Sequence, residues 1–165
     1  IRYVDNGNFL FIGRNEKRKN LKLFVQLANF YESKFKFIAV TNKKTGSNSL
    51  IHHISPSEVD KKSIISNVGI YIAPNSKSES FGITILEAIN YGNVAICSDI
   101  KAFKNLLNDS GIFFVNDNFE DLKETISNLK EKNLSEIWSK QYDYISQNYS
   151  MDKVLQKWIY VYKNI

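Results

Sequence analysis

Short apolar runs alternate with amphipathic stretches through the first two thirds of the chain, and amphipathic stretches alone fill the remainder. Asn8 to Gly13 is an apolar run ending in glycine, the pattern of a buried strand. Leu21, Phe24, Val25, Leu27, Ala28 and Tyr31 then recur at helical spacing. Phe35 to Val40 reads as a second strand, Thr41 to Ser49 as a polar loop and Leu50 to Ile54 as a short third strand. Ser55-Pro56-Ser57-Glu58 has the N-cap serine, first-turn proline and following glutamate of a helix start, predicting a helix to about Ser66. Val68 to Ala73 is a strand ended by Pro74-Asn75. A helix over Phe81–Tyr91 follows, closed by Gly92 as its C′ glycine. Val94 to Cys97 predicts a strand, Lys101 to Leu107 a short helix and Ile112 to Val115 a last strand.

From Asp117 onward the pattern is helical. Leu122, Ile126 and Leu129 make one stripe; Ile137, Trp138, Tyr142 and Ile145 a second; Val154, Leu155, Trp158, Ile159 and Tyr162 a third. The terminal helices are expected over about 135–165, and Trp158 and Tyr162 are read as packing residues. Strands alternating with helices imply an α/β, Rossmann-like parallel sheet with helices on both faces. In such sheets ligands bind beyond the carboxyl ends of the strands. Three segments leave strands there: Gly13–Asn20, Thr41–Ser49 and Asn75–Gly82.

The third of these carries the strongest chemical signal. Glu79 and Glu87 stand eight residues apart, and from Phe81 to Ile89 everything is apolar or small except Thr84 and Glu87. A carboxylate in so apolar a segment is costly unless it is partnered. Phe81-Gly82 reads as loop turning into helix, with Glu79 at the helix mouth and Glu87 about a turn further in. Helix mouths bind anions through free backbone N–H groups. Two carboxylates flanking one suit a ligand with hydroxyls at both ends and phosphate in the middle. A nucleotide-sugar has that layout. Taken singly, Glu79 also reads as a solvated loop carboxylate and Glu87 as the wet edge of a packed helix. After the first strand, Gly13 permits a tight exit, and Arg14 and Lys19 offer two cations for a diphosphate. The bland alternative is a solvated basic loop. Neither Walker A nor dinucleotide-fingerprint spacing is present.

Composition narrows the field. The 165 residues suit one domain, and 43% hydrophobic with 24% charged residues is ordinary for a globular protein. No apolar run approaches the roughly 18 residues of a membrane span. Ile1-Arg2-Tyr3-Val4-Asp5 lacks a signal-peptide pattern, and a start without Met close to a strand suggests a piece of a longer protein. The single cysteine, Cys97, excludes an internal disulfide framework and reads as core. Two histidines, His52 and His53, sit side by side on a strand and so face opposite ways; no metal site is expected. The net charge of +5 permits attraction to phosphates or an anionic membrane surface. The one compact basic cluster, Lys17-Arg18-Lys19, has no interleaved aromatic stripe, so nucleic acid is not an expected partner.

Over nearly its whole length the chain resembles the C-terminal domain of retaining glycosyltransferases of the GT-B fold, family 4 in particular. Phe11-Ile12-Gly13-Arg14 with Lys19 resembles the family's Gly-Arg…Lys loop. Tyr71-Ile72-Ala73-Pro74-Asn75 resembles its strand ending in Pro-Ser, and Glu79 through Ala88 resembles its Glu-x7-Glu motif with Phe-Gly. Asn93 to Asp99 resembles its Gly-Pro-Val-Ile strand, and Tyr149-Ser150 with the closing helix its C-terminal helix. The resemblance implies catalytic roles for Arg14, Lys19 and Glu79: the two cations neutralise the departing diphosphate, and Glu79 accepts hydrogen bonds from the donor sugar. It implies donor binding by Gly13, Phe81 and the N–H groups around Gly82, Ile83 and Thr84, with Glu87 on the ribose hydroxyls. No metal or other cofactor is expected, the donor being a nucleoside-diphosphate sugar of UDP or GDP type.

The family places its acceptor site on an N-terminal domain, for which this chain has no counterpart. The expectation is therefore a donor-binding half, inactive alone, whose glycan or lipid-linked acceptor is held elsewhere, in the cytoplasm or peripherally at the inner face of the membrane. Three positions depart from the family pattern: Asn20 for the usual Gly after the lysine, Ser80 for Gly or Pro, and Asn93 for Pro. A nucleotide-sugar epimerase-like relative and a non-catalytic nucleotide-binding module are the alternative readings.

Overall fold

A computed structural model describes residues 2–42, 50–55, 60–76, 79–129 and 131–163. The apolar runs form six strands: β1 Phe9–Ile12, β2 Phe37–Val40, β3 Ile51–Ile54, β4 Ile70–Ala73, β5 Val94–Ser98 and β6 Ile112–Phe114. They make one sheet in the order β3-β2-β1-β4-β5-β6, every neighbouring pair parallel. Every residue of β2, β4 and β5 is buried, which is why these strands read as continuous rather than alternating apolar runs. The helices are α1 Leu21–Tyr31, α2 Lys61–Ile65, α3 Ile83–Asn90, α4 Lys101–Leu107, α5 Phe119–Leu129, α6 Leu134–Tyr149 and α7 Met151–Lys163. The α/β Rossmann-like expectation is borne out.

The core is rich in aromatic rings. Phe9 stacks on Phe37 with centroids 4.9 Å apart, and Phe24 of α1 closes edge-on over Phe37 at 5.6 Å and against Phe11 at 5.7 Å. Each such buried ring contributes about 1.5–3 kcal/mol relative to exposure. Cys97 is buried in β5, as expected of a core residue.

Three expectations meet a different outcome in the fold. Residues 56–59 of the expected helix start lie outside the described residues; the described helix starts at Lys61, with extended Asp60 as N-cap accepting from the Lys62 N–H. α3 begins at Ile83, two residues late, because Gly82 at φ 101° is not helical. The third apolar stripe is not buried: no residue of α7 is, and Trp158 and Tyr162 stack on each other at 5.8 Å.

The second stripe packs through a polar residue that hydrophobic periodicity skips. Gln141 of α6 is fully buried and forms two 2.9 Å bonds with the backbone of Ala95, one to its N–H and one to its C=O. β6 pairs with β5 only from Ile96 onward, so the Gln141 amide occupies the place of a missing strand residue. Trp138, one turn earlier, donates from Nε1 to the Ile89 carbonyl at 2.8 Å.

The strand order decides where a ligand fits. The chain builds β1, β2 and β3 outward to one edge, then returns to lay β4 beside β1 and builds toward the other. The connections after β1 and β4 therefore diverge, opening a crevice at the carboxyl ends of these strands.

Candidate functional site

Two segments meet at that crevice. After β1 the chain makes a short 3₁₀ turn over Lys17–Lys19, ending at Asn20 with φ 51° and ψ 43°. That left-handed conformation suits glycine, and asparagine adopts it more readily than most residues. Asn20 thus fills the position where the family carries Gly, and its Nδ2 also donates to the Asp117 carboxylate at 2.8 Å. The turn is tied to the segment after β4: the Ser76 N–H donates to the Arg18 carbonyl at 2.9 Å. Ser98 holds the same segment from β5, its hydroxyl donating to the Asn75 carbonyl at 2.6 Å.

Glu79 sits at the centre. Its Oε2 accepts from Lys19 Nζ, from Asn75 Nδ2 at 2.8 Å and from Arg18 Nη1 at 3.3 Å. Oε1 takes the Ser80 N–H at 3.3 Å. The side chain is only 12% exposed. Desolvation pushes its pKa up, but Lys19, Arg18 and the Ser80 N–H outweigh that, holding the carboxyl below its ordinary value. A nearly enclosed carboxylate held ionised by two cations is a poor general acid and a strong hydrogen-bond acceptor.

Directly after it comes the mouth of α3. Gly82, the N-cap, is buried. A Cβ there would stand 3.0 Å from the Phe103 ring and 3.2 Å from both Leu106 and Ile85. The first-turn N–H groups of a helix have no partner within it, and the dipole adds partial positive charge there. Phe81 and Ile83 are exposed beside this mouth, and Phe81 leans edge-on against Tyr149 at 5.6 Å. The Thr84 side chain turns inward to the buried Tyr71 hydroxyl at 3.0 Å, leaving its backbone as what it offers a ligand. Burial raises the Tyr71 pKa far enough to keep it neutral.

Glu87 faces a different element, its Oε2 paired with Lys61 Nζ of α2. The crevice therefore brings together Lys19, Glu79, Gly82, Ile83 and Thr84, with Glu87 on the α2 side of the same helix. Arg14 stands apart: its side chain is 76% exposed and reaches Glu16 at 3.6 Å. Arg18 is the second cation beside Glu79, bridging it and Glu16, the latter at 2.9 Å. Gly13 turns the chain out of β1, its N–H bonded to the Val40 carbonyl at 3.1 Å.

Spacing had no means of ranking Arg18 above its neighbours in the Lys17-Arg18-Lys19 cluster, Asn75 was marked only as the end of a strand, and nothing local marked Lys61. Asn93 is intelligible in the fold. Fully buried, it donates from Nδ2 to the Ile65 and Ala88 carbonyls at 2.7 and 3.1 Å and from its own N–H to Ala88 at 3.0 Å, bonds that proline cannot make. Among the described residues no group of three His, Cys, Asp or Glu is placed to hold a metal ion, and no helix is long and apolar enough to cross a membrane.

The model for glycosyl transferases group 1 matches residues 3–149, a span that takes in both crevice segments and α3. The chain belongs to this family. The family resemblance seen in the motifs is thus borne out, and the chain is a glycosyltransferase-family domain.

Among curated relatives, the phosphatidyl-myo-inositol mannosyltransferase of Mycobacterium tuberculosis is 36% identical over 55 residues, 33% of this chain and 15% of that protein. That of Mycobacterium leprae is 33% identical over 67 residues, covering 38% and 18%. Anabaena Alr3699/HepE, solved in complex with UDP and glucose, superposes with a TM-score of 0.81 at 14% identity, over 97% of this chain and 49% of that one. A glycosyltransferase from Rickettsia africae superposes with a TM-score of 0.76 at 17% identity, over 97% and 48%. The chain spans about half the length of these solved structures.

Proposed function

We propose that this domain binds the nucleoside-diphosphate sugar donor of a retaining glycosyltransferase in the crevice between β1 and β4. The observation that carries the reading is the convergence of Lys19 and Arg18 on Glu79 beside the open N-terminus of α3. Fixed cations and backbone dipoles there face the place where a diphosphate gains negative charge as the glycosidic bond breaks. Electrostatics organised before the reaction is commonly the largest contribution to such a step. Lys19, with Arg14 swung in from solvent, neutralises the leaving diphosphate; the Gly82, Ile83 and Thr84 N–H groups hold its oxygens. Glu79, ionised, accepts from hydroxyls of the sugar, and Glu87 from those of the ribose. These groups do the work that a metal ion does elsewhere, and the reading requires no cofactor.

The fold shared with Anabaena HepE, a structure that contains UDP, supports UDP as the first donor nucleotide to try, and the mycobacterial mannosyltransferases support a glycolipid or glycan acceptor. Acceptor binding falls to a further domain, so the isolated chain binds nucleotide and transfers little or no sugar. On this reading the domain works in the cytoplasm, at the inner membrane face where the acceptor is lipid-linked.

Thermal unfolding with UDP, GDP, ADP and CMP at millimolar concentration tests this. A ligand at 100 times its dissociation constant adds about 2.7 kcal/mol of stability. Stabilisation by one nucleoside diphosphate, abolished in Lys19→Ala and reduced in Glu87→Ala, is the expected result. Unchanged binding in both variants would place the nucleotide elsewhere.

A further inference from the structure

The Lys61–Glu87 pair differs from an ordinary surface ion pair in how its two helices are fixed. Lys61 is the first residue of α2, where Asp60 caps the helix by accepting from the Lys62 N–H at 3.1 Å. The far end of α2 is held to α3 by Asn93, whose buried amide spans the Ile65 and Ala88 carbonyls. Ala88 is the residue after Glu87. The backbone from which Glu87 projects is therefore tied to the helix that carries Lys61. Both side chains keep a solvent-facing portion, 45% for Lys61 and 34% for Glu87, so a ligand reaches the pair without displacing core.

Resting on the donor-binding reading above, we infer that Lys61 is a positioning residue that holds and charge-compensates Glu87, so that the site selects nucleotides by their ribose hydroxyls. Two physical arguments carry this. A carboxylate in the second turn of α3 stands near the mouth where the diphosphate binds, and without compensation it repels that ligand. Lys61 offsets the charge of the pair while leaving the carboxylate able to accept. The ammonium also engages Oε2, which fixes the plane of the carboxylate and so the direction from which hydroxyls approach Oε1. A fixed acceptor saves the ordering cost that a mobile one incurs on binding.

The test compares the affinities of the intact protein for UDP and GDP with those for their 2′,3′-dideoxy counterparts, by calorimetry. Lys61→Met should weaken ribonucleotide binding by about fivefold, the upper scale for a partly exposed charge pair, and dideoxynucleotide binding by less, because the dideoxy forms feel only the uncompensated charge, so that the discrimination between them narrows. Lys61→Arg should restore the discrimination. In Glu87→Gln the discrimination should vanish, and adding Lys61→Met to it should change nothing further. Discrimination lost in Glu87→Gln but intact in Lys61→Met overturns the role of Lys61 and leaves the donor-binding reading standing. A wild-type protein that binds both sugar forms equally overturns the ribose assignment and this inference with it, and one that binds neither overturns the donor-binding reading on which both rest.

Discussion

Lys19 and Glu79 are sixty residues apart in sequence and form an ion pair at the carboxyl ends of two adjacent parallel strands. Neither strand places its residue alone. The Ser76–Arg18 backbone bond holds the two connections in register, and Asn75 adds a third donor to the same carboxylate oxygen. The acid is thus set beside the α3 mouth before any ligand arrives.

This arrangement makes stability depend on pH in a defined direction. The Glu79 pKa is lowered in the fold from an ordinary 4.5. The folded state therefore favours the ionised form. The resulting stabilisation is present above the unfolded-state value and is lost as pH falls through the lower folded-state value. Glu79→Gln should be less stable than wild type at pH 7, and the gap should shrink as the pH is lowered past 4.5. Urea unfolding of both proteins across that range measures it; a gap independent of pH contradicts the ionised assignment.

Gly82→Ala should cost about 1–3 kcal/mol, because a side chain meets both the positive φ and the Phe103 and Leu106 side chains. Gly13→Ala should cost less, since its nearest obstacle is the Phe11 ring at 3.2 Å with Lys19 Cγ at 3.5 Å. Denaturant midpoints of the two variants give the comparison. Equal costs would remove the special role of the α3 cap.

Replacing Gln141 with leucine keeps much of the side-chain volume and deletes both bonds to Ala95. A buried N–H and C=O on β5 are then left without partners. At about 1–3 kcal/mol for each unsatisfied group, unfolding free energy should fall by about 3 kcal/mol in all. A variant as stable as wild type by chemical denaturation would show that water or another group substitutes.

Asn20→Gly and Asn20→Ala should separate. Glycine removes the left-handed strain but also the Asp117 bond, for a near-neutral balance. Alanine loses the bond and keeps the strain, at a cost of about 1–2 kcal/mol. Thermal unfolding of the pair provides the measurement, and alanine matching glycine would rule out strain as the reason for Asn20.

Local order was legible in the chain itself. The apolar runs at β1, β2, β4 and β5, the helical stripe of α1, the turn from loop to helix near Phe81-Gly82 and the Glu79–Glu87 spacing all depend on contacts close in sequence, where periodicity and turn chemistry act directly. The candidate crevice residues were marked by motif spacing in the segments and helix start that follow β1 and β4. Tertiary structure decided which of them meet. It brought Arg18 rather than Arg14 to Glu79, gave Glu87 a partner from α2, turned the Thr84 side chain inward and set Gln141 against a strand backbone. Long-range pairing between polar groups leaves no periodic trace, because a side chain's partner depends on how distant segments cross and not on its own neighbours. The exposed stripe of α7 makes the complementary point: amphipathic spacing specifies that a helix has an apolar face, and only the packing specifies what, if anything, covers it.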